Sequence, residues 1–235
     1  MKKLLQYLLC IIILAILVFG TIIFYERHIV ARSVIENEGE YVVLLHGLGR
    51  TSLSMQKLAV SLSKNGYRVI NISYPSRSDT IENLVKNNLA IELDKKYIDK
   101  NKKINFVTHS MGAAMIRYYL ATYTVENLNR VVMLAPPNSG GEAADRWVNN
   151  RIVNFLMGPA LAEMTTDQFS FVNKLPAPNY EVGIIAGKYD KKVSLERTKL
   201  EGMKDFLAVE RGHTWIMRDS AVAAAVVKFL INGHF

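Results

Sequence analysis

Read for hydrophobic and polar positions alone, the chain falls into a long apolar opening and a repeated alternation. Short apolar runs rich in β-branched residues recur at Tyr41–Leu45, Val69–Ser73, Ile104–Thr108, Val131–Leu134, Val182–Ala186 and Phe206–Val209. Such runs, bounded by Gly, Asn, Pro or charged residues, read as strands buried on both faces. Helical spacing of apolar residues lies between them, near Ser52–Lys64, Thr80–Lys100, Met111–Tyr123, Leu195–Met203 and Ser220–Leu230. Strand alternating with helix predicts right-handed βαβ units and a doubly wound, mostly parallel sheet. Ligands of such sheets bind beyond the C-terminal strand ends, and the residues with the most chemistry cluster there.

The N-terminus breaks the alternation. After Met1-Lys2-Lys3 no charge occurs from Leu4 to Tyr25. As a helix those roughly 22 residues reach about 33 Å, enough to cross a hydrocarbon core of about 30 Å. A cleaved signal peptide is the rival reading, but its apolar region is usually only about 7 to 15 residues, followed by a small-residue cleavage site. Gly20-Thr21-Ile22 is a poor one. The expected organisation is therefore a transmembrane signal anchor over residues 1–25, a linker over 26–40 and one domain over 41–235, single-pass in a membrane. Lys2 and Lys3 against Arg27 and Arg32 favour a cytoplasmic N-terminus and an extracytoplasmic domain.

Composition adds little. The net charge of +8 is carried by scattered lysines and arginines, compatible with an anionic leaflet beside the anchor. No basic block interleaved with aromatics suggests nucleic acid, and neither a metal-ligand cluster nor a phosphate-binding loop is legible; no cofactor is expected. The single cysteine, Cys10, lies in the apolar opening, so the domain has no disulfide. Oligomeric state cannot be read.

The chemistry starts at Ser110. The strand-like Ile104–Thr108 runs into His109-Ser110-Met111-Gly112, and a helix-forming segment follows. This is the layout of a nucleophile elbow, a sharp strand-to-helix turn that lifts a serine hydroxyl above a sheet. Small neighbours two positions away avoid conflict with the adjacent elements. Gly112 meets that demand, while Thr108 stands where the G-x-S-x-G pattern has its first glycine. Upstream, Tyr41–Leu45 ends in a second Gly-rich turn, His46-Gly47-Leu48-Gly49.

On these residues, with Leu134-Ala135-Pro136-Pro137-Asn138, Lys192-Val193-Ser194 and His213–Met217, the chain resembles the α/β-hydrolase superfamily, in particular its small lipase- and esterase-like members. The resemblance spans roughly residues 41 to 232, with the N-terminal strands of larger relatives reduced. It implies an oxyanion hole formed by the backbone N–H groups of Leu48 and Met111, and a triad in the order Ser, acid, His. His213, after the run Phe206–Val209, is the expected base: His28 borders the apolar opening, His46 and His109 belong to the two motifs, and His234 is penultimate. Asp190, at the end of Val182–Gly187, is the expected acid; Glu163 and Asp167 are the next candidates, and Asp145 a more distant one.

The stretch 138–180 lies between two predicted strands, where relatives carry a lid or acyl-pocket helices. Trp147, Phe155 and Leu156, together with Met157, Phe169 and Phe171, are candidates for an apolar acyl site, and Tyr74 for its border. The implied activity is a membrane-anchored serine hydrolase cleaving carboxylic, lipid or acyl, esters through an acyl-enzyme. An acyltransferase or thioesterase on the same triad, or a binding protein that kept the fold without catalysis, are the alternatives.

Overall fold

The computed structural model describes residues 2–28, 31–94 and 99–235. Seven strands form one sheet in the order β1-β3-β2-β4-β5-β6-β7: β1 (Ala31–Ile35), β2 (Tyr41–Leu45), β3 (Arg68–Ser73), β4 (Ile104–His109), β5 (Leu128–Leu134), β6 (Glu181–Gly187) and β7 (Asp205–Val209). The six runs read from the sequence are β2 to β7, and their pairings with one another are all parallel. In-register pairing of Tyr41 with Arg68 on one side and Ile104 on the other puts β2 near the centre.

Alternation along these strands divides the core into two layers. Val42 and Leu44 of β2 pack with Val107, Val132 and Ile185 beneath the helices Gln56–Lys64 and Ser220–Asn232. Val43 and Leu45 face the other way, with Phe106, Val131 and Ile184, onto Met115 and Ile116 of the helix Met111–Thr122. Both faces are covered, so the central strands read as continuous apolar runs. Ser220–Asn232 starts on Asp219, whose carboxylate accepts from the Ala221 and Val222 N–H groups.

Three expectations need correction. The stretch read as a linker, 26–40, contains β1, an edge strand antiparallel to β3. An edge strand needs no continuous apolar run, and Arg32-Ser33 hid it. The helix expected near Thr80–Lys100 is interrupted: Ile81–Leu84 passes into a π-turn, Val85–Leu89, then Ala90–Leu93, and residues 95–98 lie outside the described residues. The helix expected over Leu195–Met203 is only one turn, Leu195–Thr198.

At the N-terminus a helix runs Lys2–His28. Its side chains are described without a break over Gln6–Val18, where Leu8, Leu9, Ile11 and Ile16 are more than half exposed. Among the described residues no helix is long and apolar enough to cross a membrane.

The stretch 138–180 leaves the sheet after β5 and returns at β6. It holds the helices Glu142–Trp147, Arg151–Met157 and Phe171–Lys174 and a 3₁₀ turn, Pro159–Met164. Arg117, buried in the helix Met111–Thr122, ties both of its ends down: one guanidinium nitrogen donates to Asn138 O at 2.9 Å and another to Leu175 O at 2.9 Å.

Candidate active site

Ser110 sits between β4 and the helix Met111–Thr122 with φ 52 and ψ −122. These angles match the first corner of a type II′ turn, which strongly favours glycine, and a serine holds them only under constraint. The constraint is visible. Ser110 N–H donates to Leu134 O at 3.0 Å, and its carbonyl accepts from Ala113 N–H at 2.9 Å. A Cβ at Gly112 would lie 2.7 Å from Leu45 O and 2.9 Å from His46 O, both immobile backbone atoms. Only glycine lets the elbow helix come this close to β2. Thr108, by contrast, sits fully buried inside β4, in register with Leu45, so the elbow accommodates its β-branch.

Two loops carry the partners. Asp190 follows β6, His213 follows β7, and Tyr189 N–H donating to Arg211 O at 3.1 Å pins the loops together. Ser110 Oγ lies 2.9 Å from His213 Nε2, and His213 Nδ1 lies 2.6 Å from Asp190 Oδ2. The Asp190 side chain is 1 % exposed; its other oxygen accepts from the Lys192 and Val193 N–H groups at 2.7 and 3.0 Å. With Asp190 accepting at Nδ1, His213 carries its proton there and leaves Nε2 as an acceptor for the serine hydroxyl. The other acid candidates are engaged elsewhere: Glu163 accepts from Ile81 N–H, Asp145 from Thr166, and Asp167 from Phe169 N–H.

His46 and His109 are buried and neutral. His46 is pushed down to about 4, chiefly by burial. Its Nδ1–H donates to Gly47 O at 2.9 Å and its Nε2 accepts from Tyr74 N–H. Its ring stacks on Tyr74 with centroids 4.0 Å apart. That stack and the bond from the Tyr74 hydroxyl to His46 O shape the turn into Gly47-Leu48. A Cβ on Gly47 would lie 3.0 Å from both His109 Nδ1 and Ser110 Cβ, so the turn packs directly against the elbow. His109 is held well below the ordinary imidazole value, mainly by burial and then by His213. Its Nε2–H donates to His213 O at 2.9 Å, bracing the loop that carries the base. Sequence reading assigned no role to this bracing; its only sequence signal is the residue's position beside Ser110.

The cavity above Ser110 and His213 is about 350 Å³, within the range of small-molecule sites. Gly47 and Leu48 form one side, and the insertion supplies an apolar wall that includes Trp147, Val153, Met157, Leu161 and Met164. Of the expected pocket residues Trp147 therefore lines it; three do not. Tyr74 is 1 % exposed beneath His46, Leu156 is half-buried beside the wall, and Phe155, 71 % exposed, borders a separate open depression with Arg77. Phe155 misses because the helix Arg151–Met157 turns Val153 and Met157 inward, and two positions from either is about 200° around the helix. Of the wider set Met157 reaches the cavity, Phe169 is mostly exposed and Phe171 packs against Tyr118.

A family model for the alpha/beta hydrolase fold matches residues 40–177, more than half of the chain, and the protein belongs to that family. Among solved structures the chain is similar to the mature form of a Bacillus licheniformis lipase, at 18 % identity and TM-score 0.70, over 85 % of this chain and 98 % of that one. It is also similar to an alpha/beta hydrolase fold protein from Burkholderia ambifaria (17 %, TM-score 0.62, 85 % and 93 %). A thermophilic esterase from Thermogutta terrifontis gives 15 % and 0.60, over 88 % and 94 %. No curated protein sequence matches. At these identities the structural neighbours establish the fold.

Proposed function

We propose that this hydrolase cleaves carboxylic esters with Ser110 as nucleophile, His213 as general base and Asp190 as its orienting acid. The observation that carries the reading is the unbroken line Ser110 Oγ to His213 Nε2 (2.9 Å) and His213 Nδ1 to Asp190 Oδ2 (2.6 Å). Ser110 Oγ attacks the ester carbonyl as its proton passes to His213 Nε2, and the imidazolium is stabilised by the Asp190 carboxylate. The oxyanion that forms is met by the N–H groups of Leu48 and Met111, neither of which donates to a carbonyl among the described turn and cap bonds; such donors supply about 3 to 4 kcal/mol of transition-state stabilisation. His213 then returns the proton to the leaving alcohol. Water, deprotonated by the same imidazole, releases the acid from Ser110.

The apolar wall supports acyl or lipid esters as substrates; an N-terminal bilayer anchor rests on the uncharged sequence run Leu4–Tyr25 alone. The domain then faces the extracytoplasmic side, as the flanking charges favour.

Labelling with a fluorophosphonate probe tests the chemistry. The full chain in detergent is expected to react, and Ser110→Ala and His213→Ala to abolish the reaction in protein that melts cooperatively. A folded wild-type chain that stays unlabelled with and without added lipid overturns the reading in favour of a non-catalytic binding protein.

A further inference from the structure

The cavity has a second character besides its apolar wall. Arg50 and Lys192 line it, and none of its lining residues is a carboxylate. Each cation comes from a loop that builds the site: Arg50 closes the turn after Leu48, its N–H donating to Gly47 O at 3.2 Å. Lys192 belongs to the loop that wraps Asp190. The cations thus approach Ser110 from the oxyanion side and the acid side. Neither side chain enters an ion pair among the described residues, although Arg68, Lys86, Arg130, Lys199, Lys204 and Arg211 all do. The carboxylate nearest in the chain, Asp190, is 1 % exposed and turned to His213. Their field reaches inward. After burial and His213, Arg50 and then Lys192 also disfavour a charge on His109, and Arg50 adds to burial in lowering Lys192 itself.

Two like charges at one mouth repel each other; the buried Asp190 carboxylate offsets this in part at Lys192, but it is turned to His213, and an anion in the cavity relieves the rest. We infer that the cavity selects amphiphilic esters bearing an anionic group, phosphate or carboxylate, within a few bonds of the scissile carbonyl, with Arg50 and Lys192 recognising that group. The apolar chain lies against Trp147 and Met157. The ester in this statement rests on the hydrolase reading above; the recognition of an anionic amphiphile does not.

The test therefore uses binding as well as turnover. The Ser110→Ala chain, in nanodiscs of zwitterionic lipid, is titrated calorimetrically with hexyl phosphate, 1-hexanol and hexyltrimethylammonium. Empty nanodiscs of the same lipid supply the blank for partition, and an Arg50→Gln/Lys192→Gln double variant is titrated alongside. Hexyl phosphate is expected to bind about ten-fold more tightly than 1-hexanol, and the cation most weakly. Each single substitution, Arg50→Gln or Lys192→Gln, should shrink that preference about two- to five-fold. Raising ionic strength to about 0.5 M should shrink it further, since exposed charges are screened. A preference for the anion that survives both substitutions belongs to the oxyanion N–H groups and overturns the inference, as does equal binding of the three ligands.

In wild-type enzyme the kcat/KM ratio for the hexanoyl ester of glycolate over that of glycolamide should fall with each substitution, intrinsic reactivity cancelling in the comparison. An unchanged ratio on esters that are nonetheless cleaved overturns the selectivity and leaves the hydrolase standing. Selective binding without cleavage or probe labelling leaves the selectivity and overturns the hydrolase.

Discussion

Ser110→Gly should make the protein more stable than Ser110→Ala, reversing the usual order of these two residues. Both variants lose the hydroxyl and its bond to His213 Nε2, so that loss cancels between them. What differs is the Cβ. At φ 52 and ψ −122 a Cβ is held in a region that costs about 1 to 3 kcal/mol, and alanine keeps that strain while glycine releases it. Against this, glycine has more freedom to lose on folding, worth about 0.4 to 1 kcal/mol. The balance favours glycine by about 1 kcal/mol, or about 3 °C in Tm for a chain of this size. At an unstrained position the sign is opposite, with glycine the weaker by about 0.5 to 1 kcal/mol. Thermal melts of the two variants in the same detergent read the difference directly. If Ser110→Gly melts below Ser110→Ala, the elbow is not strained and the constraint argued from its hydrogen bonds fails.

Three other outcomes follow from the geometry. Asp190→Asn keeps the size of the side chain but can offer an N–H to His213 Nδ1, favouring the tautomer that cannot accept from Ser110; kcat should fall about 10³- to 10⁴-fold, with a cooperative melt retained, and a loss under ten-fold would remove Asp190 from its role. Arg117→Met strips the donors from Asn138 O and Leu175 O, and unpartnered buried carbonyls cost about 1 to 3 kcal/mol each; limited proteolysis should then cut first within 138–180, and unchanged cleavage sites would refute the tether. His46, lowered by burial to about 4 in the folded chain from the ordinary imidazole value of 6.5, binds its proton first in the unfolded state. Stability is therefore expected to fall as pH drops from about 6.5 to about 4, by about 3 kcal/mol in total from this group. His109 acts in the same direction. Urea unfolding at pH 7.5, 6 and 4.5 checks the slope, and a midpoint independent of pH across that window contradicts the burial of both rings.

What could be read from the sequence divides along a physical line. Strands β2 to β6 were legible because burial on both faces forces apolar runs, and the half-buried edge strand β7 because it happens to keep one in Phe206–Val209; the loops that follow such runs emerge at one edge whatever else the chain does. Ser110, Asp190 and His213 each stand just past a run, so their convergence follows from the topology. Residues whose place depends on packing between distant segments were not legible. Tyr74 follows a strand as Leu48 does, yet it is drawn under His46 by a ring stack that no local pattern encodes. Phe155 and Met157 have equal claims to a pocket by residue type, and only the rotation of one short helix separates the exposed ring from the cavity wall. β1 escaped because its edge position tolerates Arg32-Ser33, which break the apolar run that the other edge, β7, keeps. Arg50 and Lys192 escaped for a different reason. A lysine or arginine in a loop reads as solvated surface, and what sets these two apart is that both line the cavity and neither forms an ion pair among the described residues, which is a property of the folded neighbourhood. Fold and triad thus come from patterns that burial imposes on the chain, whereas selectivity comes from unpatterned side chains that the fold carries to the mouth.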